Sequence, residues 1–185
     1  ETLRRHHHLL FSQERGVRKE KIAVCPGSFD PITIGHVDII RRGLCVFDKV
    51  IIAVGHNPLK MDLFTTEEKI AMIRKTVESI PRIEVDSFEG LLVDYCRKVG
   101  ACAILRGLRV ISDFEMEMQL ALMNKRLCEK IDTFFLMTDY NHLFVSSTIV
   151  KATAAAGGSV EGLVPEPALE KLMEKFPQMM KKHHP

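Results

Sequence analysis

The stretch Ile22-Ala23-Val24-Cys25-Pro26-Gly27-Ser28-Phe29-Asp30-Pro31-Ile32-Thr33-Ile34-Gly35-His36 decides the reading of this chain. Ile22–Cys25 is a short apolar run ended by turn formers, which predicts a buried strand. From His36 to Phe47 the pattern changes, with Val37, Ile40, Leu44 and Phe47 recurring at helical spacing. Between the two lies a loop of turn-forming residues. Gly27 lets a main-chain amide come close to a ligand, and Ser28 offers a hydroxyl. Gly35-His36 falls at the helix N-terminus, where N–H groups and the macrodipole favour phosphate. Taken alone, the segment would be an ordinary strand-to-helix loop carrying a surface histidine.

Working outward, the same alternation repeats. Further strands are predicted at Val50–Val54, Ile83–Phe88, Ala103–Leu105 and Thr133–Met137. Helical spacing fills the gaps over Thr66–Ser79, Leu91–Val99 and Ser112–Lys130, then over Ser147–Ala156 and Glu166–Phe176. Thr65 and Glu68 make a capping box, and Gly100 closes the third helix. Gly157-Gly158 ends the penultimate helix, and Pro165 and Pro167 introduce the last. In the fourth helix Phe114, Met118, Ala121 and Leu122 share one face, expected to meet the core. Strands alternating with helices imply right-handed crossovers and an α/β fold. The expectation is a Rossmann-like five-stranded parallel sheet with helices on both faces. No linker divides it, so residues 21–180 are read as one domain. In such sheets ligands bind beyond the carboxyl ends of the strands, where this sequence turns unusual.

Composition narrows the classes. The 185 residues are 46% hydrophobic and 27% charged with a net charge of +2, average values for a globular protein. They exclude a disordered, fibrous or disulfide-stapled chain and a protein that coats nucleic acid with its whole surface. Residues 1–21 hold six basic and three acidic side chains, a net of +3, so the rest sums to −1. Residues 1–20 read as a flexible extension or tag remnant, with His6-His7-His8 as a weak metal binder at most. Leu9-Leu10-Phe11 is far too short for a membrane span. The five cysteines form no C-x-x-C pair and sit among apolar neighbours, which predicts buried thiols in a reducing cytoplasm.

Three more segments carry chemistry. Gly55-His56-Asn57-Pro58-Leu59-Lys60 follows the second strand; a lone loop lysine is usually a solvated charge. Arg106-Gly107-Leu108-Arg109 ends the fourth strand and precedes Asp113-Phe114-Glu115-Met116-Glu117. Two arginines around a glycine repel unless an anion or a carboxylate such as Asp113 or Glu115 intervenes. Tyr140-Asn141-His142-Leu143-Phe144-Val145-Ser146-Ser147-Thr148 opens a helix; its hydroxyls read as an N-cap or an anion site.

Together these strings resemble the nucleotidylyltransferase superfamily, and the bacterial phosphopantetheine adenylyltransferases in particular. Thr33-Ile34-Gly35-His36 is similar to that group's T-x-G-H, and Val145-Ser146-Ser147-Thr148-Ile149-Val150-Lys151 to its I-S-S-S/T-x-[VI]-[RK]. R-G-L-R followed by D-F-E-x-E is the most discriminating match. The resemblance spans roughly residues 21–176. It implies the nucleotidylyltransferase fold, with ATP and 4'-phosphopantetheine converted to dephospho-coenzyme A and pyrophosphate. It implies His36, Lys60 and Arg109 as catalytic. ATP would meet Ser28, Phe29, His36, Gly107, Leu108, Arg109 and Glu117, and also His142, Leu143, Phe144, Val145, Ser146, Ser147 and Thr148. Phosphopantetheine would meet Ser28, Lys60, Leu92 and Arg106. Mg²⁺ is expected on the ATP phosphates, with no protein metal cage. Coenzyme A is the implied feedback ligand and a homohexamer the implied assembly, with neither nucleic acid nor membrane as partner. Relatives acting on nicotinate mononucleotide or a phosphorylated alcohol stay open as alternatives, as does a non-catalytic nucleotide sensor. A redox Rossmann enzyme is disfavoured, since no G-x-G-x-x-G follows the first strand.

Overall fold

A computed structural model describes residues 18–56, 61–109 and 111–182. Most of the predicted N-terminal extension, including His6–His8, lies outside these residues, and so does Lys60. The strands are β1 (Ile22–Gly27), β2 (Lys49–Gly55), β3 (Ile83–Phe88), β4 (Ala103–Leu108) and β5 (Asp132–Met137). The α-helices are α1 (Ile34–Gly43), α2 (Thr66–Val77), α3 (Leu92–Lys98), α4 (Ile111–Leu127), α5 (Ser147–Ala155) and α6 (Glu166–Lys175). Short 3₁₀ turns occupy Tyr140–His142 and Pro177–Lys182.

The five strands are parallel in the order β3-β2-β1-β4-β5. Side chains alternate across the sheet, which divides the core in two. Ala23, Cys25, Val50, Ile52 and Leu105 pack with α1, α2, α5 and α6 residues such as Ile40, Ile73, Val150 and Leu172. Val24, Ile51, Ala53 and Ile104 pack on the other face with Cys96 of α3 and Cys128 beyond α4. The central strands are apolar at successive positions because both their faces are covered. The last residue of α1, Gly43, lies so close to Leu105 that an added Cβ would stand 2.4 Å from its Cδ2. Here glycine is required by close approach of helix and sheet.

Four expectations need correction. Pro26 and Gly27 belong to β1, and Arg106, Gly107 and Leu108 to β4, because their main chains find ladder partners in Ala53 and Val54 and in Phe135, Leu136 and Met137. The R-G-L part of R-G-L-R is thus strand, and its arginine charge is met by a neighbouring carboxylate. The first helix runs Ile34–Gly43, not His36–Phe47, because Thr33 caps it two residues earlier and the chain turns after Gly43. The expected core face of α4 is covered only in part: Met118 and Ala121 are half-buried, but Phe114 is 41% and Leu122 64% exposed, and Met116, Leu120 and Met123 are exposed as well. Apolar residues run around this helix, and it flanks the edge strand β5, so one sheet cannot cover them all. Lastly, Cys25, Cys96 and Cys128 are buried, whereas Cys45 and Cys102 are exposed, since both lie in connections outside the core clusters.

Candidate active site

In this sheet the chain first winds outward from β1 to β2 and β3, then crosses to β4 on the other side of β1. The carboxyl ends of β1 and β4 therefore flank the topological switch point, where a crevice is expected. A cleft of about 390 Å³ opens there. Its lining brings together Ser28, Phe29, His36, Arg106, Gly107, Arg109 and Glu117 with Val145, Ser146, Ser147 and Thr148. These side chains come from four separate segments of sequence.

His36 is set by the start of α1. Thr33 is the N-cap, and its Oγ accepts the main-chain N–H of His36. In return Nδ1 of His36 accepts the main-chain N–H of Thr33 at 3.0 Å. This is a reciprocal capping box with histidine in the place usually held by Glu or Gln. An Nδ1 that accepts leaves the ring proton on Nε2, so the cleft receives an N–H donor. Burial, with Arg109 and then Arg106 nearby, pushes the imidazole pKa down to about 4. The ring is accordingly neutral at physiological pH. Cys25, at the floor of the same cleft, is pushed up to about 11 by burial, so it stands as a thiol and not a nucleophile.

Arg106 is held on two sides. Its Nε donates to Glu117 at 2.7 Å and its Nη2 pairs with the second carboxylate oxygen. Its Nη1 donates to the Pro26 carbonyl at 2.8 Å. A forked, partly buried pair of this kind has a defined direction as well as energy. Glu117 is the carboxylate that pairs with Arg106. Arg109 reaches across to the Val145 carbonyl at 3.2 Å, which ties the end of β4 to the entrance of α5.

At that entrance Ser146 caps α5, its Oγ accepting from the Ile149 N–H at 3.1 Å. Ser147 Oγ donates to the Pro31 carbonyl at 2.8 Å. Asp30, 2% exposed, joins three segments. It accepts from the main-chain N–H groups of Leu63 and Phe64 and from Lys151 of α5. Burial raises its pKa, but Lys151 and the two amides outweigh that and hold it below the usual carboxylate range. Sequence reasoning assigns no role to Asp30 or Lys151, although both sit inside the quoted motifs. The available signal was an acid in one motif and a base in the other.

The remaining predicted site residues lie elsewhere. Leu108 is 6% exposed and turned away from the cleft lining. His142 is in the 3₁₀ turn beside Gly35, its Nδ1 buried without a partner. Leu143 and Phe144 follow it on the surface. Leu92, at the start of α3, packs against the second core cluster. Lys60 is not among the described residues.

The cytidylyltransferase-like family profile matches residues 24–153, which contain most of β1, all of β2 to β5 and both halves of the cleft. The phosphopantetheine adenylyltransferase of Syntrophus aciditrophicus is 54% identical over 162 residues, 88% of this chain and 98% of that one. Its namesake from Caldanaerobacter subterraneus subsp. tengcongensis is 50% identical over 156 residues, covering 84% and 98% of the two chains. This chain belongs to the phosphopantetheine adenylyltransferases. A third member, from Geotalea daltonii, is 54% identical over 154 residues, 83% of this chain and 95% of its own. Like the rest of its family this chain is a nucleotidyltransferase. No helix among the described residues is long and apolar enough to cross a membrane.

Proposed function

We propose that the chain transfers the adenylyl group of ATP to 4'-phosphopantetheine, giving dephospho-coenzyme A and pyrophosphate. The observation that carries this reading is the cleft itself. A neutral imidazole N–H, two arginines and the N-terminus of α5 converge at the switch point of a parallel sheet. An oxygen of the acceptor phosphate forms a bond to the α-phosphorus while the bond to the β-phosphate bridging oxygen breaks. Pyrophosphate leaves with that electron pair. The acceptor is already an anion at neutral pH, so no general base is required. Catalysis then consists of alignment and of donors aimed where charge develops. His36 donates from Nε2 to the α-phosphate. Ser28, Lys60 and Arg106 orient the acceptor phosphate, with Leu92 along the pantetheine arm. Gly107, Arg109 and Glu117, with the segment from Val145 to Thr148, hold the nucleotide and its β- and γ-phosphates. Pyrophosphate release with ATP and each candidate acceptor is the deciding assay. Activity with 4'-phosphopantetheine and none with nicotinate mononucleotide is expected, and the reverse overturns the reading.

The proposal extends to four finer points. ATP enters as its Mg²⁺ complex, the ion held by phosphates and water. Among the described residues Glu117 is the one carboxylate on the cleft lining, and Arg106 engages it. Coenzyme A, which contains both the adenylyl and pantetheine portions, acts as feedback ligand by competing for the same cleft. The chain assembles as a homohexamer; supporting this are the exposed apolar side chains of α4 and of the edge strand β5, among them Phe114, Leu120, Leu122, Phe134 and Met137. It works in the cytoplasm, where its five free thiols stay reduced.

A further inference from the structure

Phe29 has four properties that do not belong together in a simple core residue. It is the first of two non-glycine residues with left-handed backbone among those described, at φ 44, a region that aromatic residues occupy only against a free-energy cost. Its side chain is 2% exposed although it borders the cleft, so the ring is no stacking platform for a base. The ring packs edge to face on His36, with centroids 5.1 Å apart and planes at 65°. And it sits so tightly on the main chain of β1 that a Cβ on Gly27 would be 3.0 Å from two of its ring carbons. The unusual backbone therefore aims the ring at the imidazole, and the bare Gly27 makes room for it.

We propose that Phe29 is a positioning residue: its ring is the wall that holds the His36 imidazole in one plane, with Nε2–H directed into the cleft. Thr33 alone cannot do this. A hydrogen bond to Nδ1 fixes which nitrogen carries the proton but leaves the ring free to tilt about that contact. An aromatic edge-to-face contact blocks the tilt and keeps water from one side of the ring. The value of that orientation for turnover rests on the reading of His36 as the α-phosphate donor, and the experiment separates the two.

Phe29→Leu keeps an apolar side chain of similar volume but removes the flat edge. The variant is compared with the native chain by steady-state kinetics and by ¹⁵N NMR of the His36 ring. Charges facing the imidazole are untouched: Arg106 and Arg109 of the β4 segment, Glu117 of α4 behind Arg106, and His142 beside Gly35. A moved titration midpoint therefore reports hydration and orientation of the ring. The expected result is a drop in kcat of about tenfold, one catalytic donor being partly misaligned, with KM for both substrates within about twofold. The His36 midpoint rises from about 4 toward 6.5. A moved midpoint with unchanged kcat supports the positioning role and instead removes His36 from the chemistry. An unmoved midpoint overturns the proposal and leaves Phe29 as a core filler, and so does a rise in KM for ATP with kcat intact. Phe29→Met, unbranched and adaptable, carries the same readouts where the leucine variant does not fold.

Discussion

The main-chain N–H of Thr33 donates to Nδ1 of His36 at 3.0 Å, and the Thr33 hydroxyl returns a contact to the His36 main chain. Helix capping and the choice of ring tautomer are thus the same pair of hydrogen bonds. The residue that ends the loop also decides which nitrogen faces the cleft.

His36→Ala should lower kcat by about 10²-fold, the usual cost of removing one preorganised donor. His36→Gln should retain more activity than alanine, because its amide N–H reaches toward the place of Nε2. Pyrophosphate release measures both, with far-UV circular dichroism to establish that the fold survives. Near-native turnover in the alanine variant would remove His36 from the mechanism.

Acidification should act late on activity. The free-enzyme ionisation of His36 appears in kcat/KM, and the neutral donor persists down to about pH 4. The acid limb from this group should fall near that value, with no inflection near 6.5. Stability has its own sign. The folded pKa lies below the unfolded one, so the unfolded chain binds the extra proton first. The contribution of His36 is complete above about 6.5 and is lost as pH falls from there to about 4. Urea midpoints across that interval, native against His36→Gln, measure it.

Asp30→Ala should destabilise the chain by about 3 kcal/mol. It strands the Leu63 and Phe64 amides and the Lys151 ammonium that now share one buried carboxylate. Lys151→Met should cost clearly less, since Lys151 is 28% exposed and the two amide bonds to Asp30 remain. Equal losses in urea denaturation would mean that the ion pair, not the amide clamp, dominates.

Gly43→Ala sets two effects against each other. Alanine gains up to about 1 kcal/mol in helix propensity, less at a final helical residue. Overpacking against Leu105, 1% exposed and only 2.4 Å from the new Cβ, costs about 1–3 kcal/mol. A net loss is expected in thermal melts. Adding Leu105→Val should recover part of it, and strict additivity of the two changes would sink the steric account.

Much of this architecture is legible in residue order. Continuous apolar runs and period-3.6 patterns placed the five strands and six α-helices, because a doubly covered sheet leaves its mark on each central strand. The cleft residues Ser28, His36, Arg106, Arg109 and Ser146 were legible through the motifs shared with the family; alone, the loop histidine, the arginine turn and the capping serine each read as ordinary surface features. What stayed hidden depends on partners far apart in the chain. Glu117 rather than Glu115 meets Arg106 because of how α4 is phased against β4, which charge spacing does not encode. Asp30 and Lys151 look like solvated charges until the fold brings them together. The α4 stripe misled because apolar periodicity marks an apolar face, not what lies against it.

Ser147 Oγ meets the Pro31 carbonyl across 116 positions of sequence, and Lys151 meets Asp30 across 121. The glycine-rich opening motif and the serine-rich closing motif are therefore halves of one part. A chimera that exchanges either half between homologues would put a foreign surface against a native one. Grafting this cleft onto another scaffold thus means carrying both halves as a single cassette.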